Sequence, residues 1–263
     1  MKNILYILIA VATFSSCQKD IDLDLNSANP SIVIEANYAA EDSTVRVRIS
    51  KTVNYFGSEA VPTVDNATVT ITDQNGTSQS VPFSSNGDYT LTNYAPQFNT
   101  IYSLNVVADG ISYSASSKMA SPVIMDTIAY DWFEGGFGFD EGFVMVINFL
   151  DPADTVNFYA ARFTVNGTEF NRLDEGFTQD DALTDGNYQS RPLFGGPQVD
   201  SLDVVGLELL SIDEEIYNYL NEAASIVGGS TSAAPGNPTS NWNNDALGYF
   251  SAYSSSRQEV TLP

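Results

Sequence analysis

The chain has 263 residues, of which 33 are acidic, 10 are basic and none is histidine, for a formal net charge of −23. That charge excludes a nucleic-acid binder, which needs a basic footprint, and argues against electrostatic docking on anionic lipid. Without histidine there is no Ser-His-Asp or Cys-His nucleophile system and no ordinary zinc site. Catalysis would be left to carboxylates, Tyr, Lys or Ser-Lys pairs, and neither Lys51 nor Lys118 lies in an S-x-x-K pattern. With 43% hydrophobic and 12% aromatic residues a real core is available, and the length suits two domains of ordinary size.

The chain opens with Lys2, an apolar run from Ile4 to Phe14, then Ser15-Ser16-Cys17. A charged start, a short apolar run and a small-residue exit read as a signal peptide over residues 1–16. The run is shorter than the roughly 20 residues a membrane-spanning helix needs. Cys17 is the single cysteine, so no internal disulfide forms. Its setting resembles the lipobox of bacterial lipoproteins, where the thiol carries a diacylglycerol. Two or three acyl chains, traceable as palmitate, then anchor the protein to a membrane without spanning it. Residues 17–30 read as a lipidated acidic tether. Its Gln18-Lys19-Asp20-Ile21-Asp22 start resembles the surface-export signal of Bacteroidota lipoproteins; the plain alternative is a solvated linker.

From Ser31 the pattern predicts an all-β architecture. Residues 31–38 and 44–51 alternate with period two, Val45, Val47 and Ile49 against Arg46 and Arg48. Residues 67–73 are β-branched and stop at Asn75-Gly76; Asn86-Gly87 and Asp109-Gly110 are further hairpin signals. About seven short strands over 31–120 predict an immunoglobulin-like or fibronectin-like β-sandwich. Ser121-Pro122 marks the start of a second, mostly β domain over 121–263. It has strands at 123–130, 143–150, 157–165, 169–173 and 199–210, and a long loop at 174–200. One helix is expected near 212–227, with Ser211 as N-cap, Asp213, Glu214 and Glu215 in its first turn and Tyr217, Leu220, Ala224 and Val227 at helical spacing, followed by strands at 247–254 and 257–262.

The segments CQKDIDLDL, IVIEANY, VRVRISKTVNYF, VDNATVTITDQNG, GDYTL, PGNPTSN and LGYFSAYS together resemble the DUF4249 lipoprotein family of Bacteroidota, over nearly the whole chain. The resemblance implies an outer-membrane location, a two-part β architecture and a TonB-dependent receptor as partner. It brings no catalytic residue, cofactor or metal, and the chain is not read as an enzyme.

Among candidate contact residues, Trp132, Phe133, Phe137 and Phe139 cluster around Gly135, Gly136 and Gly138. Exposed aromatics mark binding surfaces; the alternative is that they fill the second core. Asn241, Trp242 and Gly248-Tyr249-Phe250 have the same two readings, with packing favoured. Asp180, Asp181, Asp185 and Asn187 offer calcium-type oxygens, but no EF-hand pattern fits and no metal is assigned. The paired carboxylates Asp140-Glu141, Asp174-Glu175 and Asp213-Glu214-Glu215 read as solvated loop acid, not the spaced pair of a glycosidase. Asp-Ser/Thr-apolar triplets at Ser43, Thr127, Thr155 and Ser201 resemble O-glycosylation acceptors of Bacteroidota envelope proteins. The functional expectation is a surface-exposed accessory binding module for a TonB-dependent receptor in nutrient uptake. The alternatives are a structural or adhesive envelope lipoprotein and, behind it, a carboxylate-dependent hydrolase.

Overall fold

The computed structural model describes residues 30–53, 60–170, 177–227 and 236–263. The 1–16 signal segment, Cys17 and all of the tether except Pro30 lie outside the described residues. Alternation sets the first strands. β1 (Ile32–Ala39) buries Ile34, Ala36 and Tyr38, and β2 (Thr44–Lys51) buries Val45, Val47 and Ile49 while Arg46 and Arg48 face away. There follow β3 (Thr68–Asp73), β4 (Ser78–Ser80), β5 (Phe83–Ser85), β6 (Asp88–Leu91), β7 (Thr100–Ala108) and β8 (Ile111–Met119). Asn86-Gly87 and Asp109-Gly110 have positive φ at both residues. That primed geometry matches the twist of the strands that they join.

One layer pairs in the order β1-β2-β6-β5 and the other in the order β4-β3-β7-β8. Lettered along the chain, these are A-B-E-D and C′-C-F-G, the strand arrangement of an immunoglobulin-like sandwich. Between the layers Tyr38 stacks on Tyr94 at 5.4 Å and meets Tyr102 edge-on at 4.9 Å, contacts worth about 0.5–1.5 kcal/mol each beyond their area. The Tyr38 hydroxyl donates to the Tyr94 carbonyl (2.6 Å) and that of Tyr89 to the Val64 carbonyl (2.8 Å), so neither phenol is buried unsatisfied.

The rest of the chain supplies β9 (Met125–Phe133), β10 (Gly142–Leu150), β11 (Phe158–Val165), β12 (Thr168–Phe170), β13 (Phe177–Asp180), β14 (Tyr188–Leu193), β15 (Val204–Ile212), α1 (Glu214–Val227) and β16 (Leu247–Thr261). The fold is thus mostly β, with one helix among the described residues. Sheet β14-β10-β9 packs Met145, Ile147 and Phe149 against Tyr159, Phe163, Leu207 and Leu209 of β11 and β15. On the opposite face of β11 and β15, Ile216 of α1 packs with Ala160, Leu210, Ile212 and Tyr253.

β16 joins the two parts. Its residues 247–253 run parallel to β1, and its residues 254–261 run antiparallel to β15. A continuous path β12-β11-β15-β16-β1-β2-β6-β5 results, with β13 beside β11. Phe250 and Ala252 enter the first core, and Tyr253 on the other face packs under α1. Gly248 has φ +93°, and a Cβ there would lie 2.3 Å from the Ile34 carbonyl oxygen. That same carbonyl accepts the Trp242 indole N–H at 3.0 Å. Only glycine lets β16 approach β1 this closely.

Several expectations on elements need correction. The 174–200 loop contains β13 and β14. Both are polar, and β14 carries Pro192 on an edge strand, where a missing N–H is tolerated. The two expected C-terminal strands are one. The strand expected from Val199 starts at Val204, after a turn in which Leu202 has φ 71°. Ser211 is not the helix cap: it lies in β15 opposite Ser254, and its hydroxyl accepts the Val123 N–H. Asp213 is the cap, its Oδ1 accepting the Ile216 N–H at 3.0 Å.

Candidate functional site

Of the residues singled out on sequence, the aromatic group is brought together most clearly. β9 and β10 form a hairpin with Phe143 paired to Trp132. At its tip Gly136 and Phe139 exchange both main-chain hydrogen bonds at 3.0 Å, closing a two-residue turn. Phe137 and Gly138 fill the turn with φ 54° and 89°. Both angles are positive, the pattern of a type I′ turn, which favours Asn-Gly and tolerates a bulky residue poorly at its first central position. The consequence is display: Phe137 is 101% exposed, Trp132 53% and Phe139 46%. Phe133 is half-buried.

The exposed rings lean on others. Trp132 meets Phe143 edge-on at 5.1 Å, and Phe194, at the end of β14, sits 5.4 Å from both Phe133 and Phe139. Beside them runs a groove of about 440 Å³ whose floor includes Phe163 and Leu193. Asp140, Glu141 and Asp200 stand on its rim, and among the described residues no Lys or Arg lines it. An apolar centre with an acidic rim suits a partner that presents apolar side chains ringed by basic ones. β9 is also an edge strand, and such an edge offers unpaired main-chain groups to an incoming strand. Phe194 has no signal in the sequence beyond the Gly195-Gly196 that follows it.

A second constellation lies on the far face of the long sheet. Arg162 on β11 donates to the Tyr253 hydroxyl at 2.8 Å, lies over that ring at 4.8 Å and faces Glu208 at 3.9 Å. Burial raises the Tyr253 phenol. Glu41, on the β1–β2 turn, faces Glu208. Glu41 is exposed, yet desolvation, and then repulsion by Glu208, push its carboxyl up to about 7, with Arg162 opposing. Between this group and α1 is a mostly apolar cavity of about 220 Å³. These residues come from three strands and a turn, so no spacing in the sequence reveals them.

The acids weighed for calcium separate. Asp180 pairs with Phe158 in the β13–β11 ladder, whereas Asp181 and Asp185 converge with Asp151, which the sequence reading left out. Asp174-Glu175 lies outside the described residues. Asn241 and Trp242 pack: Asn241 accepts from the Phe250 N–H at 2.9 Å and donates to the Phe250 carbonyl, and Trp242 is buried. Thr127, Thr155 and Ser201 are exposed and Ser43 is half-buried at the β1–β2 turn. Cys17 lies outside the described residues. Among them no helix is long and apolar enough to cross a membrane.

One family model matches residues 18–259, that of the family described as "Domain of unknown function (DUF4249)". No curated protein matches the chain. Among solved structures, the chain is similar to a two fibronectin type-III domain segment from chicken tenascin. The identity is 13%, 71% of this chain and 92% of that chain are covered, and the TM-score is 0.24. It is also similar to the FN1–FN3 domains of chicken CNTN1, at 8% identity, 70% and 61% coverage and a TM-score of 0.26. At these TM-scores the likeness carries no argument, and the sandwich rests on its own strand order.

Proposed function

This chain belongs to the DUF4249 family, and we propose that it is a lipid-anchored binding module of the bacterial outer membrane, facing the cell surface. There it docks on a TonB-dependent receptor and helps to capture or gate a nutrient. The aromatic tip carries this reading. A turn that holds Phe137 in left-handed backbone geometry and fully in water has a cost that packing does not repay. Contact with a partner would repay it. A lipid on Cys17 places the body beside outer-membrane barrels. The net charge of −23 disfavours loose adhesion to an anionic surface, so a specific protein has to position it.

The test is a mild-detergent pull-down of the native lipidated protein, read by mass spectrometry. Co-purification of a stoichiometric outer-membrane receptor is expected, together with its loss on Trp132→Ala. Cys17→Ala should abolish palmitate labelling and membrane retention. A clean monomer in every detergent, with normal growth of a deletion strain on each nutrient tried, overturns the proposal.

A further inference from the structure

Asp151 follows β10, Asp181 follows β13 and Asp185 lies in the turn before β14. One carboxylate oxygen of each lies within 4.8 Å of the others. Asp151 is 1% exposed and Asp181 3%. Among the described residues, none of the ion pairs involves any of the three. Buried carboxylates gathered without a cationic side chain are unfavourable unless a proton or a metal is shared between them. Some of their capacity is met: Asp151 accepts from the Tyr159 hydroxyl (2.5 Å) and the Gly186 N–H (2.9 Å), and Asp181 from the Asn157 N–H (2.7 Å). Among the described residues no further side chain donates to them.

A second observation does not depend on charge. Among the described residues, two buried side-chain oxygens lack any hydrogen-bond partner, Asn157 Oδ1 and Thr184 Oγ1. Both belong to residues whose main-chain N–H is bonded to Asp181. Asn157 is 8% exposed and its own N–H is bound to Asp181. Thr184 closes a turn onto Asp181, its N–H donating to the Asp181 carbonyl at 2.7 Å. Orphaned buried oxygens are rare, and an ion that the oxygens ligate is one of the few explanations for them. That both occur beside one triad of carboxylates points to a cation.

We propose that Asp151, Asp181 and Asp185, with Asn157 Oδ1 and Thr184 Oγ1, form a Ca²⁺ site that staples the β13–β14 turn to the end of β10 and the start of β11. All the donors are hard oxygens, with no nitrogen or sulfur among them. Ca²⁺ holds oxygens at about 2.3–2.6 Å, so ligands on opposite sides of it lie about 4.6–5.2 Å apart, whereas for Mg²⁺ that span is about 4.0–4.2 Å. Oxygens that all lie within 4.8 Å of one another can share one such ion, and a cage of protein oxygens suits Ca²⁺, because Mg²⁺ usually keeps several waters. The exposed Asp185 leaves a way in. The site is structural: it fixes a turn whose Asn187 carbonyl accepts the Asp151 N–H at 3.2 Å. It is independent of the docking proposal.

The experiment uses the full chain, stripped with chelator and titrated with CaCl₂ or MgCl₂ under thermal scanning and calorimetry. Ca²⁺ is expected to bind at about 0.1–1 mM, the range of extracellular modules. It should raise the melting temperature by about 3–6 °C at tenfold over its Kd. Mg²⁺ at equal concentration should do far less. Asp151→Asn risks misfolding because Asp151 bonds Tyr159 and Gly186. Asp185→Asn is the decisive variant, since its side chain makes no hydrogen bond within the described residues and is exposed. It should leave the metal-free melting temperature unchanged or slightly raised and weaken Ca²⁺ binding at least tenfold. An unchanged Ca²⁺ affinity in Asp185→Asn overturns the site. So does the absence of any Ca²⁺-dependent shift or heat in the parent chain, which would mean that the carboxylates share a proton. Equal responses to Ca²⁺ and Mg²⁺ overturn the assignment of the ion.

Discussion

Phe137 sits in the left-handed backbone region, which costs an L-residue with a Cβ about 1–2 kcal/mol. Its ring buries nothing in return. Phe137→Gly should therefore raise stability by about 1 kcal/mol in urea melts, while receptor capture in the pull-down falls at least tenfold. Lower stability with capture intact would mean that the ring serves the fold. Glu41 offers a second test. Its folded pKa of about 7 stands above the ordinary 4.5, so the folded state holds the proton more tightly than the unfolded one. Glu41 thus lowers stability above its folded pKa, and that penalty is progressively relieved as pH falls from about 7 towards 4.5. Glu41→Gln should raise the melting temperature at pH ~8 and converge with the parent near pH ~5. Comparing the two chains cancels the general effect of acid on a highly acidic protein. Parallel melting curves across that range would rule out the Glu41–Glu208 contact.

At the scale of elements, α1 depends on one carboxylate with two tasks. Asp213 Oδ1 caps the helix at the Ile216 N–H, while Oδ2 accepts the Ser117 hydroxyl (2.5 Å) and the Lys118 N–H (3.0 Å) of β8. A plain cap is worth about 1 kcal/mol, and hydrogen bonds to a charged group add about 1.5–3 kcal/mol. Asp213→Ala should cost about 2–4 kcal/mol in chemical denaturation, and Asp213→Asn clearly less because it keeps an acceptor. A loss no larger than that of an exposed cap would show that the β8 contact contributes nothing. This helix also shows what was legible in the sequence. Its span followed from the acids in its first turn and from Tyr217, Leu220 and Ala224. Its cap did not, because Ser211 and Asp213 are both good capping residues and only the ladder to Ser254 decides between them. β1 and β2 were legible because one face is buried and the other wet, and the primed turns because Asn-Gly and Asp-Gly tolerate positive φ. β13 and β14 were hidden because edge strands with polar residues on both faces do not alternate. The aromatic tip was visible as composition, but whether its rings faced the core or the solvent depended on the turn. In the Asp151–Asp181–Asp185 group, Asp181 and Asp185 stood together in the sequence, but the approach of Asp151 from the end of β10 did not show, because pattern carries no information about such a crossing.

At the scale of the molecule, β16 makes separate folding of the two cores implausible. Its first half is the parallel neighbour of β1, its second half the antiparallel neighbour of β15, and Phe250 and Ala252 help to fill the first core. Trp242, far from β1 in sequence, closes that core and donates to the Ile34 carbonyl. A chain ending at residue 120 would keep all eight strands of the immunoglobulin-like sandwich. It would nonetheless uncover the edge of β1, open the space filled by Trp242 and Phe250, and strand Ser117, which bonds the Ala252 N–H at 2.8 Å. Removing two large aromatic side chains from a core costs about 3–5 kcal/mol each, a large part of the roughly 5–15 kcal/mol that holds a domain together. The 31–120 fragment should therefore be insoluble or collapsed without fixed packing, with far-UV β signal and no near-UV signal. The full chain should unfold in one transition with calorimetric and van't Hoff enthalpies equal. A fragment that folds natively, beside two resolved transitions in the full chain, would show that the sandwich is a domain in its own right and that β16 merely leans on it.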